Sequence, residues 1–259
     1  MSWIRPPAVA GQFYPATPGT LQAMVDDFLA EATGNGEPSR ALIAPHAGYI
    51  YSGPIAASAY ACLRSRRAQV RRVVLLGPAH RVPLRGLGVS SATAWATPLG
   101  NVPLDQETIE ELIALPQVRY HDEAHAGEHS LEVHLPFLQR VLADFSLVPL
   151  VAGEAAPREV AKVLARFAGD ESTLLVVSSD LSHYYDYEQA RALDRATSEA
   201  IERLQPLQPQ QACGRVAING LLELARQQGW RARTLDLRNS GDTAGPRHQV
   251  VGYGAYLFG

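Results

Sequence analysis

Short runs of apolar residues alternate along this chain with segments whose apolar residues recur at helical spacing. The runs are apolar at consecutive positions, which is typical of strands in a sheet covered on both faces. The pattern therefore predicts the α/β fold class, with residues 1–259 as a single domain and a central, mostly parallel sheet with helices on both faces. Strands are predicted near 41–44, 73–76, 86–91, 146–151, 173–178, 233–237 and 249–258.

The predicted helices follow from apolar spacing and from capping residues. The first begins at Thr17 and Pro18 and is stopped by Gly34, Asn35 and Gly36. Further helices are predicted at 55–63, 105–115, 131–142, 157–167, 187–204 and 213–228, and residues 121–129 are predicted to form a His-rich loop.

Composition limits the classes of partner. The net charge of −3 and the pI near 6.2 give no electrostatic basis for binding nucleic acid or a membrane surface. No apolar run approaches the roughly 20 residues that span a bilayer, and the first residues lack the apolar core of a signal peptide. A cytoplasmic protein is expected, with no nucleic acid and no membrane as partner.

Two histidines follow two consecutive predicted strands. His46 comes after the run at 41–44 and His80 after the run at 73–76, with a helical segment between them, so residues 41–80 form one predicted βαβ unit. Residues just past the carboxyl ends of parallel strands line the ligand crevice of an open sheet. Both imidazoles are therefore expected to face one site and to begin a metal centre.

Other polar groups follow later strands and could complete that centre. Asp242 is the predicted third ligand, which would give the two-histidine, one-carboxylate set of non-haem iron enzymes; zinc would accept the same set. Ser240 competes for this position, and Asp242 could instead be an ordinary turn residue. Asp180 and His183 follow the strand at 173–178, where His183 could act as acid and base with Asp180 orienting it, or Asp180 could only cap a turn.

The remaining candidate residues have a structural and a functional interpretation. Glu128 and His129 are predicted to lie at the edge of the site and to contact the metal ligands without binding the metal themselves. The other histidines of residues 121–134 are expected at the surface or in packing. Tyr49 and Tyr51 could line the pocket or belong to the core. With two cysteines there is no disulfide framework; Cys62 is expected to be buried, and Cys213 stands at a helix start, where a thiolate could be stabilised.

Several motifs occur in one order along nearly the whole chain: VAGQFYP near the start, then APHAGYIYSG, LGPAH, EHSLEVHLP, SSDLSH, CGR and VGY. With these motifs the chain resembles the Memo family, whose bacterial members, of the AmmeMemoRadiSam type, accompany a radical S-adenosylmethionine protein and an AMMECR-type protein. The family is similar in fold to class III extradiol dioxygenases, which are non-haem iron enzymes. The resemblance implies metal positions at His46 and His80 and a polar pair at Asp180 and His183. Animal members have Cys at the third metal position, where this sequence is expected to have Asp242.

These observations favour a metal-binding protein with a dioxygenase-like site, a non-haem iron-dependent oxidoreductase acting on a small chelating or aromatic substrate. Fe(II) is the expected metal, with Zn and Cu as alternatives. A non-catalytic module that binds a peptide or a protein partner at the same cleft, and a metal-dependent hydrolase, are the alternative functions.

Overall fold

The structure is a computed structural model that describes residues 3–32 and 39–259. The predicted stop of the first helix at 34–36 lies outside the described residues, and that helix ends at Glu31. The strands are β1 (Ile4–Arg5), β2 (Ala41–Ala44), β3 (Arg72–Pro78), β4 (Leu87–Val89), β5 (Ala94–Thr97), β6 (Gly100–Pro103), β7 (Val118–Tyr120), β8 (Ser146–Ala152), β9 (Thr173–Ser178), β10 (His183–Tyr185), β11 (Ala232–Asn239) and β12 (Val250–Phe258).

The helices alternate with these strands along the chain. They are α1 (Pro18–Glu31), α2 (Tyr49–Tyr60), α3 (Gln106–Ile113), α4 (Asp122–Ala126), α5 (Leu135–Val141), α6 (Pro157–Leu164), α7 (Tyr187–Glu202) and α8 (Arg215–Gln228), with single 3₁₀ segments at Ala61–Arg66, Glu132–His134 and Ser240–Asp242. None of the helices in the described part of the chain is long and apolar enough to cross a bilayer.

The large sheet has a parallel centre with an antiparallel pair on either side of it. Strands β2, β9, β3 and β8 are adjacent and parallel, and almost all of their residues are buried. β12 joins β2 and β4 joins β8 in antiparallel pairs, and β10 and β11 pair with β12. A smaller sheet has the order β1-β5-β6. The α/β class predicted from continuous apolar runs is confirmed.

Helices flank the sheet in two packed groups. α2 contacts β2, β12 and the helices α1 and α5, whereas α6 packs on α8, which contacts β3 and β9. Asp105 caps α3 by accepting a hydrogen bond from the Thr108 N–H at 3.1 Å, as expected for a helix start at that residue. The predicted loop at 121–129 is wrong in part, because residues 122–126 form the short helix α4.

A buried ion pair fastens the amino-terminal segment to the turn before α5. Arg5 and Glu132 have side chains that are 1% and 0% exposed, and Arg5 Nη1 lies 2.6 Å from Glu132 Oε2. Glu132 also accepts hydrogen bonds from the backbone N–H groups of Ala8 and Val9 and from the Tyr14 hydroxyl. The carboxylate thus satisfies four donors, and this compensates for the cost of burying its charge.

Replacing this carboxylate should be strongly destabilising. Glu132→Ala leaves the Arg5 guanidinium buried without its counter-charge, so we expect the free energy of unfolding to fall by about 3–5 kcal/mol. Urea unfolding followed by circular dichroism measures it. The matched control is Asp26→Ala, which removes the half-exposed pair with Arg140 and should cost about 0–1 kcal/mol. Equal losses in the two variants would contradict the proposed anchoring role.

Candidate metal centre

The carboxyl ends of three adjacent parallel strands bring the first two histidines together. β9 lies between β2 and β3, and His46 and His80 follow the two outer strands of this trio. Their ring centroids are 5.2 Å apart, and His46 is buried whereas about a third of the His80 side chain is exposed. The expectation that two loops after consecutive strands converge agrees with this geometry.

Cys213 supplies the third donor atom. Its Sγ lies 3.3 Å from His46 Nε2, and ligand atoms of His46, His80 and Cys213 all lie within 4.8 Å of one another. The cysteine directly precedes Gly214, the residue before α8. A Cβ at Gly214 would lie 2.4 Å from the Ser178 carbonyl oxygen, so only glycine allows this close approach to the end of β9. The CGR motif is the sequence signal for this residue, but the sequence predicts only a stabilised thiolate there and gives Asp242 as the third ligand.

The structure does not bring Asp242 to the histidines, and its prediction as third ligand is corrected. Asp242 is exposed; its carboxylate accepts hydrogen bonds from the Tyr187 hydroxyl at 2.5 Å and from the Asn239 N–H at 3.0 Å. Ser240, the other candidate, is buried and accepts a hydrogen bond from the Val251 N–H. Asp242 therefore caps the 3₁₀ turn together with Asn239, which is the ordinary turn chemistry of such residues, and Ser240 connects the turn to β12.

Glu128 orients His80 through two hydrogen bonds. Its Oε1 accepts a hydrogen bond from the His80 Nδ1–H at 2.9 Å, and its Oε2 accepts one from the His80 backbone N–H at 2.6 Å. Burial alone would raise the pKa of Glu128, but hydrogen bonds from His80 and Ser130 lower it to about 2, so the group is a carboxylate at neutral pH. His80 Nε2 is then its free nitrogen, as in carboxylate–histidine–metal arrangements.

His129 lies against the same two histidines. Its ring stacks on His80 with centroids 4.8 Å apart and lies 5.4 Å from His46, and Phe13 covers it at 4.5 Å. Its Nδ1 is 3.2 Å from Glu128 Oε1. Burial lowers the pKa of His129 to about 4, so the ring is neutral at pH 7. These contacts agree with the prediction that Glu128 and His129 lie at the edge of the site and contact the candidate metal ligands.

Asp180 and His183 are both near the site, but they do not form the predicted pair. Asp180 Oδ1 accepts a hydrogen bond from the His46 backbone N–H at 2.7 Å, and the Asp180 N–H donates to Cys213 Sγ at 3.3 Å. His183 Nδ1 donates to the Leu181 carbonyl at 2.9 Å, so this backbone group, and not Asp180, orients the ring. Asp180 positions the backbone of one candidate ligand and the thiol of another, and burial raises its pKa to about 6.

The tyrosine candidates and His125 lie in the core or pack against it. Tyr49 is buried, donates its hydroxyl to the Val133 carbonyl at 2.6 Å and packs on Phe137, so it belongs to the core. Tyr51 is partly buried and packs against that core. His125 is fully buried and bonded to the Gly88 carbonyl, as expected for a packing histidine.

A cavity of about 1120 Å³ opens beside Cys213. Its walls come from the ends of β3 and β8 and from the starts of α6 and α8, which is the crevice position of an α/β sheet. The charged side chains that line it are Arg85, Arg119, Arg215, Glu154 and Glu159. The candidate centre is thus bordered by a space large enough for a small molecule.

Comparison with known proteins gives the family. The model of the Memo family, described as Memo-like protein, matches residues 5–257. The chain belongs to the Memo family. A MEMO1 family protein of Aquifex aeolicus is 38% identical over 98% of this chain and 99% of its own length, and one of Archaeoglobus fulgidus is 37% identical over 98% and 99%. The resemblance seen in the motifs is therefore confirmed over nearly all of the chain.

A solved structure shares the fold at low sequence identity. The crystal structure of uncharacterized protein JW3007 from Escherichia coli K12 aligns with a TM-score of 0.55 and 17% identity, over 84% of this chain and 98% of that one. At this identity the similarity concerns the fold alone. It supports the α/β architecture in which the centre is built.

A second buried carboxyl supports the segment that carries His183. Asp194 on α7 is 2% exposed and accepts a hydrogen bond from the Ser182 N–H at 3.0 Å. Burial raises the pKa of Asp194 to about 6, although the hydrogen bonds from Ser182 and the proximity of His183 act in the opposite direction. The folded protein therefore keeps this proton at pH values where the unfolded chain has lost it.

The raised pKa of Asp194 predicts a pH-dependent stability. Its contribution is fully present below the unfolded value near 3.8 and is lost as the pH rises through about 6. Asp194→Asn keeps an acceptor oxygen for Ser182 and removes the charge. Relative to the parent protein, the variant should gain about 1–3 kcal/mol between pH 4 and pH 7.5, measured from urea midpoints. A stability difference that is constant with pH would contradict the assignment.

Proposed function

We propose that this protein binds a transition-metal ion through His46, His80 and Cys213. The observation that supports the proposal is the approach of two imidazoles and one thiol to within 4.8 Å at the carboxyl edge of the sheet. Burial lowers the pKa of His46 far below its usual value, so its ring is neutral and needs no deprotonation before it binds a cation. Glu128 leaves Nε2 of His80 free for the same purpose.

The donor set fits first-row metals that accept nitrogen and sulfur. Imidazole suits iron, copper and zinc, and thiolate favours softer ions such as Cu(I) and Zn(II). The proposed third ligand is the Cys213 thiolate and not the carboxylate of Asp242. The expected metal preference therefore moves from Fe(II) towards copper and zinc, with Fe(II) retained as the third candidate. Positions not taken by these three residues would be open to substrate.

Removing a ligand should remove the metal. We expect His46→Ala, His80→Ala and Cys213→Ser each to lower the affinity for Zn(II) and Cu(I) by at least about 100-fold. This exceeds the loss of affinity that is typical when a residue that only hydrogen-bonds a ligand is replaced. Anaerobic competition titration against a chelator measures the affinity. Asp242→Ala is the matched control and should bind as tightly as the parent protein. Loss of affinity in Asp242→Ala with retention in Cys213→Ser would contradict the ligand set.

The thiol predicts a proton release on binding. Burial, assisted by the nearby Asp180 carboxyl, raises the pKa of Cys213 to about 12, so the group is a neutral thiol at pH 7. A metal binds the thiolate, and this proton must leave. Calorimetric titration with Zn(II) in two buffers of different ionisation enthalpy should show about one proton released per ion, and none in Cys213→Ser. Binding without proton release in the parent protein would exclude the thiolate as ligand.

The finer proposal is an oxidoreductase that acts on a small chelating or aromatic substrate. When bound, the metal would supply redox chemistry and open coordination positions to substrate and dioxygen. The protein would contribute the cavity beside Cys213, a carboxylate that orients His80 and the imidazole of His183. Because His183 Nδ1 donates to the Leu181 carbonyl, its Nε2 has a lone pair that can take a proton from a substrate hydroxyl.

Dioxygen uptake tests this finer proposal. With catechol as the probe, the Fe(II)-loaded or Cu(I)-loaded protein should consume dioxygen, and His183→Gln should slow uptake by about 100-fold at unchanged metal content. His248→Gln changes an exposed histidine and serves as the control. Tight metal binding without uptake would contradict the oxidoreductase and favour the peptide-binding or protein-binding module.

A further inference from the structure

A chain of buried hydrogen bonds runs from the interior to the back of His46. The Tyr60 hydroxyl lies 2.7 Å from His134 Nδ1, and His134 Nε2 lies 2.8 Å from Ser178 Oγ. Ser178 Oγ is in turn 2.6 Å from His46 Nδ1 and 2.5 Å from the Ser130 carbonyl oxygen. These five residues are at most 2% exposed, so water does not compete for their polar groups.

The position of the single Ser178 hydroxyl proton determines which groups donate in this series of hydrogen bonds. Ser178 Oγ has three close polar neighbours, namely His46, His134 and the Ser130 carbonyl. A carbonyl oxygen can only accept, so the hydroxyl proton must point to Ser130. Ser178 Oγ then has only lone pairs to offer to the two rings, and both ring nitrogens that face it must carry a proton.

The same argument fixes the protonated nitrogen of each ring. A neutral imidazole has one N–H group, and in both rings the contact with Ser178 Oγ uses it. His134 uses its N–H at Nε2, which leaves Nδ1 to accept from the Tyr60 hydroxyl. His46 uses its N–H at Nδ1, and this leaves a lone pair on Nε2.

The opposite side of His46 agrees with this assignment. Nε2 lies 3.3 Å from Cys213 Sγ, whose S–H can donate to that lone pair. In the other tautomer, Ser178 would have to turn its proton to His46. The Ser130 carbonyl oxygen would then face Ser178 Oγ at 2.5 Å without a proton between them.

We propose that Ser178, fixed by the Ser130 carbonyl and supported by His134 and Tyr60, is a positioning residue that holds His46 as its Nδ1–H tautomer with the Nε2 lone pair facing Cys213. The functional role of this tautomer rests on the proposed metal site, since a metal ligand must present a lone pair. The assignment itself concerns the metal-free protein and can be tested without any ion.

The first test is the tautomer of His46 in the metal-free protein. Nitrogen-15 NMR of imidazole-labelled protein at pH 7.5 distinguishes protonated from unprotonated ring nitrogens, and His46→Gln identifies the resonances. We expect a protonated Nδ1 and an unprotonated Nε2 in His46, and the reverse in His134. A protonated Nε2 in His46 would overturn the proposal. The correct tautomer in a protein that binds no metal would preserve it and reject the proposed function instead.

The second test separates positioning from general packing. Ser178→Ala removes the acceptor of both rings, so we expect the Nε2–H tautomer of His46 to become populated and the Zn(II) affinity to fall about 10–100-fold. Tyr60→Phe should give a smaller loss, because His134 can still donate to Ser178.

The matched controls are Ser198→Ala and Tyr256→Phe, which break a buried serine–tyrosine hydrogen bond of 2.7 Å between α7 and β12. Both should leave the His46 tautomer and the Zn(II) affinity unchanged. An unchanged His46 tautomer in folded Ser178→Ala, or equal affinity losses in Ser178→Ala and Ser198→Ala, would overturn the proposal.

Discussion

The parallel pairing of β2, β9 and β3 is the constraint on which the candidate centre depends. Parallel strands in register end at the same edge, so the residues that follow them must share one region of space. His46 and His80 follow the outer strands of this trio, and Ser178 ends the middle one. A shift in the register of β9 would therefore move the serine away from the ring that it contacts.

Burial determines the chemical state of the groups at this edge. The cost of desolvating a charge lowers the pKa of His46 and His129 and raises the pKa of Cys213, so these three side chains are neutral at pH 7. Glu128 is the exception, because hydrogen bonds from His80 and Ser130 outweigh its burial. The Glu128 carboxylate thus stays charged and orients the His80 ring through the hydrogen bond to Nδ1.

The segment that carries Glu128 and His129 is itself held by distant parts of the chain. Arg5 donates hydrogen bonds to the Glu128 carbonyl at 2.8 Å and to Glu132 at 2.6 Å, and Glu132 accepts from the backbone at Ala8 and Val9. Two of the motifs recognised in the sequence therefore meet in one buried network. Ser130 connects this network to the site, because it donates its hydroxyl to the Pro78 carbonyl and its own carbonyl accepts from Ser178.

The sequence alone determined the elements with strong periodic or capping signals and the features that follow from strand order. The runs at β2, β3, β8 and β9, the cap at Asp105 and the convergence of His46 with His80 all depend on local patterns or on the rule for parallel strands. The sequence does not predict β1, β5 and β10, because these short segments include polar residues and form no continuous apolar run. The choice between Asp242 and Cys213 as third ligand depends on tertiary packing. Both are polar residues near the end of an element, and the choice depends on the packing of the start of α8 over the end of β9, where Gly214 lies against the Ser178 carbonyl. The hydrogen-bond chain through Ser178, His134 and Tyr60 joins residues 44 to 132 positions apart along the chain, and no local pattern can encode contacts of that separation.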